Sequence, residues 1–282
     1  MNRSGWLALL LTAAMASVGG GAGQLTFALA VGLGLGLLHG VSDLHLVAPA
    51  RRWFFLCAYL AVALGCLVFW QLASRTALLL FLLLSVWHFV HEDEVFHDRL
   101  TSLALGVFIV GGPAVIHEAE VTRLLALSMG FGESNALAEW LTWSLAAVGS
   151  VALPILLLVS CRRRCLWLAT TLLGVVLAPP LVGFALGFYL LHAAPQTRVR
   201  QRMLGVPDLA AYLRLTWPIL LGAALFTLGG GLFFLLQEHT GIRALFAVLT
   251  AFAVPHMLVL PRFLPATGTA GQSGEGTRLV GR

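Results

Sequence analysis

The stretch "GLLHGVSDLHLV", residues 36–47, sets two histidines and an aspartate inside a run otherwise suited to hydrocarbon. Its apolar half continues back to residue 25 with no charge, so it reads as one membrane helix that carries His39 and Asp43 near its end. Ionisable groups inside a bilayer are costly and normally face a functional interior. The segment therefore indicates both a fold class and a place to look for chemistry.

The rest of the chain has the same character. Of its 282 residues, 59% are hydrophobic and only 10% are charged, against ~25% charged in soluble domains. Mean hydropathy is +0.93. The net charge of +5 comes from 17 arginines and no lysine. These arginines flank apolar runs, as membrane topology requires, so the basic balance excludes nucleic acid as a partner and marks the lipid bilayer instead. The four cysteines, Cys57, Cys66, Cys161 and Cys165, lie in or beside apolar segments. Cys161 and Cys165 bracket three arginines with no second pair to complete a zinc site or disulfide framework.

The predicted fold is all-α, a polytopic helical bundle of about eight to ten membrane segments. Apolar runs fall at 6–19, 25–47, 53–73, 76–91, 101–116, 137–159, 166–178, 180–195, 213–236 and 244–260. Residues 1–24 read as a first helix or a signal-like segment: one arginine, an apolar run, then small residues. Residues 1–264 form a single transmembrane domain, and the small, polar stretch 265–282 is expected to be a disordered tail. Pro179-Pro180 removes two consecutive backbone donors, making 166–195 a kinked span, two short crossings or a re-entrant pair. The stretch 117–134 is expected at the surface as a short amphipathic helix or loop.

Counting ten crossings puts 14 arginines on one side and 3, Arg75, Arg123 and Arg243, on the other. The rule that positive residues stay inside then predicts both termini in the cytoplasm, in a multi-pass protein of a cell's inner membrane. On this topology His39, His88, His192 and His256 lie near the ends of four segments running the same way, at similar depth. Neutral imidazole is a common transition-metal ligand, so four at one level point to a metal site. Asp43, four residues after His39, shares its helix face. Glu92 and Asp93 follow His88 in "HFVHED". These carboxylates can accept the second N–H of metal-bound imidazoles. His45, off that face, and His97, His117 and His239, in loops, read as interfacial or solvated.

At these residues the chain resembles the Brp/Blh family of membrane β-carotene 15,15′-dioxygenases. The family's His-Gly with a nearby Asp is similar to "LLHGVSD", giving His39, Gly40 and Asp43. Its His-Phe-Gly block with a trailing acid is similar to "WHFVHED", giving His88, Phe89 and Asp93. A later His-containing helix end is similar to "LLHAAPQ", and Pro-His-Met matches Pro255, His256 and Met257. The similarity covers residues 25 to 262. It departs at Val90, where the family has glycine, and at Gln196, where the family has a second histidine. The resemblance implies Fe(2+) held by histidines, O2 as co-substrate, and cleavage of the central double bond of a carotenoid such as β-carotene to retinal. His39, His88 and His192 carry over as catalytic metal ligands. Either His256 or Gln196 completes the set, or the iron keeps three histidines and more open positions. Asp43, Asp93, Glu92 and Gln196 are the expected supporting groups. Trp87, Phe89, Phe184, Phe188 and Tyr189 are expected to line a polyene tunnel. A functional link to a retinal-binding rhodopsin is also implied. Three rival functions stay open: a haem-binding membrane electron carrier using paired axial histidines, a transporter with a helix broken at Pro179-Pro180, and a divergent relative without cleavage activity.

Overall fold

The computed structural model describes residues 3–93, 95–96, 98–132, 135–237 and 240–264. Among them every regular element is helical: α1 (Arg3–Val18), α2 (Gly20–Leu46), α3 (Arg52–His91), α4 (Arg99–Val115), α5 (Glu118–Ser128), α6 (Ala136–Arg162), α7 (Leu166–Leu177), α8 (180–203), α9 (Leu209–Leu235) and α10 (Ile242–Phe263). The chain is a polytopic all-α membrane bundle. His97, His239 and the 265–282 stretch lie outside the described residues.

Among the described residues five helical stretches are long and apolar enough to cross a bilayer: Gly20–Leu46, Pro49–His91, Ala136–Arg162, Leu209–Leu235 and Ile242–Phe263, or six if the bent pair Arg99–Val115 and Glu118–Ser128 is one span. The sequence pattern led to eight to ten segments. Part of the difference is that Pro49–His91 is two antiparallel arms, and the rest is that segments such as α1, α4 and α7 are shorter than a full span. Ala73 has non-helical backbone angles (φ −144°, ψ 54°), and the rings of Trp70 and Phe81 meet at 6.5 Å. Eleven residues of straight helix would span ~16 Å, so the chain reverses at Ala73, between the expected segments 53–73 and 76–91. Helix α5 fastens the bend. Trp70 Nε1–H donates to the Ser128 carbonyl (3.0 Å), Ser74 Oγ–H donates to the Met129 carbonyl (2.7 Å), and the Arg75 guanidinium lies 4.4 Å over the Phe131 ring. Within the expected 117–134 stretch, Glu118–Ser128 is a short amphipathic helix, one of the two forms expected, with Val121, Leu125 and Ala126 buried and Glu118, Glu120 and Arg123 exposed. It bends by 107° from α4.

The shorter elements persist because protein surrounds them. Helix α7 has only 12 residues, and Leu168, Leu172 and Val175 are fully buried. At Pro179-Pro180 the chain also reverses: Pro179 is extended (φ −51°, ψ 149°) and Pro180 occupies the first helical position of α8, where a missing N–H is tolerated. Gly187 then packs directly on Val175, where an added Cβ would lie 2.9 Å from Val175 Cγ2.

Small residues set the helix spacing elsewhere, as expected where lipid gives no hydrophobic drive between helices. A Cβ on Gly111 of α4 would lie 2.6 Å from the Leu145 carbonyl oxygen, and one on Gly149 of α6 would lie 2.6 Å from the Gly111 oxygen. Gly149→Ala should therefore cost about 1–3 kcal/mol through overpacking, read as a lower melting temperature in detergent. Gly65→Ala, with nothing within 4 Å of the added carbon, should leave it unchanged or slightly raised. Equal melting temperatures for the two variants would refute the backbone contact.

Candidate metal centre

Four helices deliver one imidazole each to a common point. In α2 the regular helix gives way to a π-helical stretch, Ala28–Leu35, and then to a tighter turn, Gly36–His39. Helix α8 has a second π-helical stretch, Phe188–Ala193, which contains His192. Such widened turns are rare and recur at functional sites. His88 ends the second arm of α3, and His256 follows Pro255 in α10.

All four histidines are buried. Ring centroids are 5.2 Å apart for His39–His192, 5.1 Å for His39–His256, 4.8 Å for His88–His192 and 5.2 Å for His88–His256. Nε2 of His88 and Nε2 of His192 stand 3.1 Å apart. On the outer side of the cluster, His39 Nδ1–H donates to the Gly36 carbonyl at 2.5 Å, and His256 Nδ1–H donates to Asp43 Oδ2 at 2.6 Å. Nδ1 protonation leaves each Nε2 with its lone pair facing inward. His256 Nε2 is buried and has no hydrogen-bond partner. An inward lone pair with no donor to meet it suits a cation.

Two overlapping donor groups, His39–His88–His256 and His88–Glu92–His192, each keep their ligand atoms within 4.8 Å of one another. The spacing suits one ion, or two close ones sharing His88. Glu92 differs from its expected place behind the imidazoles. Its Oε2 lies 3.8 Å from His256 Nε2 and 3.9 Å from His88 Nε2, on the side of the ligating nitrogens, and 3.8 Å from Arg200 Nη2. Asp93 also differs. It closes its own turn, with Oδ1 accepting the N–H groups of Val95 (2.7 Å) and Phe96 (3.3 Å). Asp43 and the Gly36 carbonyl hold imidazoles instead. Gln196 donates its amide N–H to the Glu92 backbone carbonyl, which ties α8 to the end of α3. The fourth imidazole at the cluster is His256.

Two polar neighbours were absent from the sequence expectations. Arg200 is 5% exposed yet was counted only as a topology charge. The spacing His192, Gln196, Arg200 is i, i+4, i+8 along one helix face, and that stripe was the available signal. Tyr212, fully buried on α9, donates its hydroxyl to the Leu38 carbonyl beside His39. His91 is exposed and turns to the Trp87 carbonyl (2.8 Å). Half-buried His45 stands apart, its carbonyl accepting from Arg52.

Three of the four histidines, His39, His88 and His256, form part of the wall of an apolar cavity of about 470 Å³, bordered also by Tyr59, Phe89, Phe184, Phe188, Phe226 and Phe252. Phe184 and Phe188 are stacked (6.0 Å, 3° between planes), and Phe188 lies against His192 at 5.8 Å and 26°, so three rings line up toward the histidines. Gly36 makes room for this, since a Cβ there would strike the Phe188 ring. Trp87 and Tyr189, expected in the lining, are not among the residues that border it. Each is one residue, ~100° of helix, from a neighbour that faces inward. Trp87 is 45% exposed and packs on His91 at 4.7 Å. The outer wall is α9, through Pro218, Gly222 and Phe226. Leu221, Leu225, Leu228 and Leu232 on its other face are exposed to the surroundings, and Pro218 interrupts its hydrogen bonding.

Comparison with known proteins agrees with this chemistry. Residues 30–263 match the family model described as Beta-carotene 15,15'-dioxygenase. A curated Beta-carotene 15,15'-dioxygenase from Uncultured marine bacterium 66A03 is 26% identical over 261 residues, covering 83% of this chain and 91% of the relative. No solved structure matches. With the family model spanning all four clustered histidines and every helix from α3 to α10, the chain belongs to the β-carotene 15,15'-dioxygenase family.

Proposed function

We propose that this chain is a membrane carotenoid dioxygenase that holds Fe(2+) on His39, His88, His192 and His256 and cleaves the central double bond of a β-carotene-like substrate. One observation carries the reading: four buried imidazoles converge, and three of them, His39, His88 and His256, border an apolar, aromatic-lined cavity. A bound ferrous ion would supply O2 activation at open coordination positions. Overall, one C=C bond and one O2 become two aldehydes, so no other reductant or oxidant is required.

The chain's own residues divide the remaining work. Asp43 fixes the tautomer and direction of His256, and the Gly36 carbonyl does the same for His39. Glu92, braced by Arg200, brings negative charge to a donor set otherwise neutral. The stacked Phe184 and Phe188 offer a flat face along which a polyene lies toward His192. The apolar wall excludes water. Four converging imidazoles favour a single ion over a haem, which needs an opposed pair with a wide macrocycle between them.

An inner-membrane location with both termini cytoplasmic is part of the proposal. In its support, the three minority arginines lie at one end of the bundle: Arg75 stacks on Phe131, Arg243 is 3.5 Å from the Cβ position of Gly130, and Arg123 is on α5 beside them. Retinal released there would serve a retinal-binding rhodopsin in the same membrane.

Cells that accumulate β-carotene should lose colour and gain retinal when they express this chain, and His88→Ala should abolish both changes. Unaltered pigment with well-expressed wild type would refute the cleavage reading. Purified protein should also contain stoichiometric iron by elemental analysis. Asp43→Asn, which keeps the shape but loses the charge beside His256, should weaken iron affinity about 10–100-fold in a chelator competition. Wild-type affinity in that variant would show that Asp43 does not support the centre.

A further inference from the structure

The regular helices repeat the histidine positions one heptad away. Seven residues of α-helix rise ~10 Å and return to within ~20° of the same face. Seven residues before His88 stands Phe81, and seven before His256 stands Leu249. On α8 the residue at that level that reaches the cavity is Phe184, eight before His192. Phe81, Phe184 and Leu249, with Gly32 and Ser85, border the main cavity and also a second, smaller one of about 80 Å³ on their far side. The smaller chamber continues among Val110, Pro113, Val121 and Leu124. These five residues therefore stand between the main cavity and a smaller chamber beyond.

This partition is braced from behind. The Phe81 ring packs edge-on against Trp70 (6.5 Å) and Phe246 (6.3 Å), and Phe184 is stacked on Phe188. Gly32 brings α2 close to α8 there, since an added Cβ would lie 3.3 Å from Ala185 Cβ. A conjugated polyene is a stiff rod, so the point where its leading end stops decides which bond lies beside the histidines.

We propose that Phe81, Phe184 and Leu249 are a depth stop that selects the double bond to be cut. They are specificity-determining residues about two helical turns from the metal ligands on the proposed carotenoid-cleavage reading, on which this inference rests. Phe81→Ala opens the way into the small chamber, so the leading end travels further and the fragment on that side lengthens. Ser85→Leu fills the approach and shortens it.

The test is the identity of the aldehydes, by liquid chromatography and mass spectrometry, from β-carotene supplied to full-length protein in lipid nanodiscs. Iron content of both variants serves as the control for an intact centre. The proposal requires unequal aldehyde pairs displaced by at least one conjugated bond, with the two variants shifted in opposite directions. The wild-type pair from both variants, at whatever rate, overturns it. Absence of any aldehyde from wild type would instead remove the cleavage reading, and the stop is then judged by binding alone. All-trans polyenes of increasing length quench tryptophan fluorescence when bound. Phe81→Ala should bind the first polyene beyond the wild-type length limit roughly tenfold more tightly, the scale of a small steric change in an apolar pocket. An unchanged length limit overturns the stop.

Discussion

The contact between Asp43 and His256 joins residues 213 apart in sequence and is the interaction that ties the histidine cluster together. Inside a bilayer neither a carboxylate nor an imidazole is tolerated alone, because no water is present to solvate it. Pairing them locks the end of α2 against the end of α10 and settles which imidazole nitrogen faces inward. The same logic runs around the cluster. The Gly36 carbonyl orients His39, Gln196 holds the end of α3, and Arg200 stands opposite Glu92. Each group that would be costly alone is placed by a neighbour on a different helix.

The scaffold serves that convergence. His88 reaches the cluster because α3 reverses at Ala73, and the reversal is held by α5 through the Ser128 and Met129 carbonyls. His192 reaches it because Pro179-Pro180 turns the chain back on α7, with glycine allowing close approach. The turns lie at the far ends of their helices from the histidines, so each helix acts as a lever whose length sets the depth of its imidazole.

Much of this was legible in the sequence. Apolar runs located the helices, and Arg75 marked a break between 53–73 and 76–91 with no proline or glycine at the turn. Histidines that recur near helix ends marked the centre. What stayed hidden depends on helix phase and tertiary contact. Trp87 and His88 are neighbours in sequence but face different ways, and the same holds for Phe188 and Tyr189. Glu92 and Asp93 looked equivalent, yet one points at the imidazoles and the other closes a turn. Arg200 read as a surface charge because only the packed structure reveals that its helix turns it inward. The amphipathic helix expected within 117–134 is α5, and what stayed hidden is its hold on the bend at Ala73, made by residues 55 and 58 apart in sequence.

Helix α9 has a consequence for how such a protein works. It leans chiefly on α10, carries a proline in mid-helix, shows leucines to the outside and forms the cavity's outer wall. Cargo that arrives past this wall comes from the acyl layer without ever meeting water. Its supply is then governed by mole fraction within the two-dimensional lipid phase. Diluting the surrounding lipid, with total cargo held constant in the tube, would slow turnover just as diluting the solution slows an ordinary enzyme.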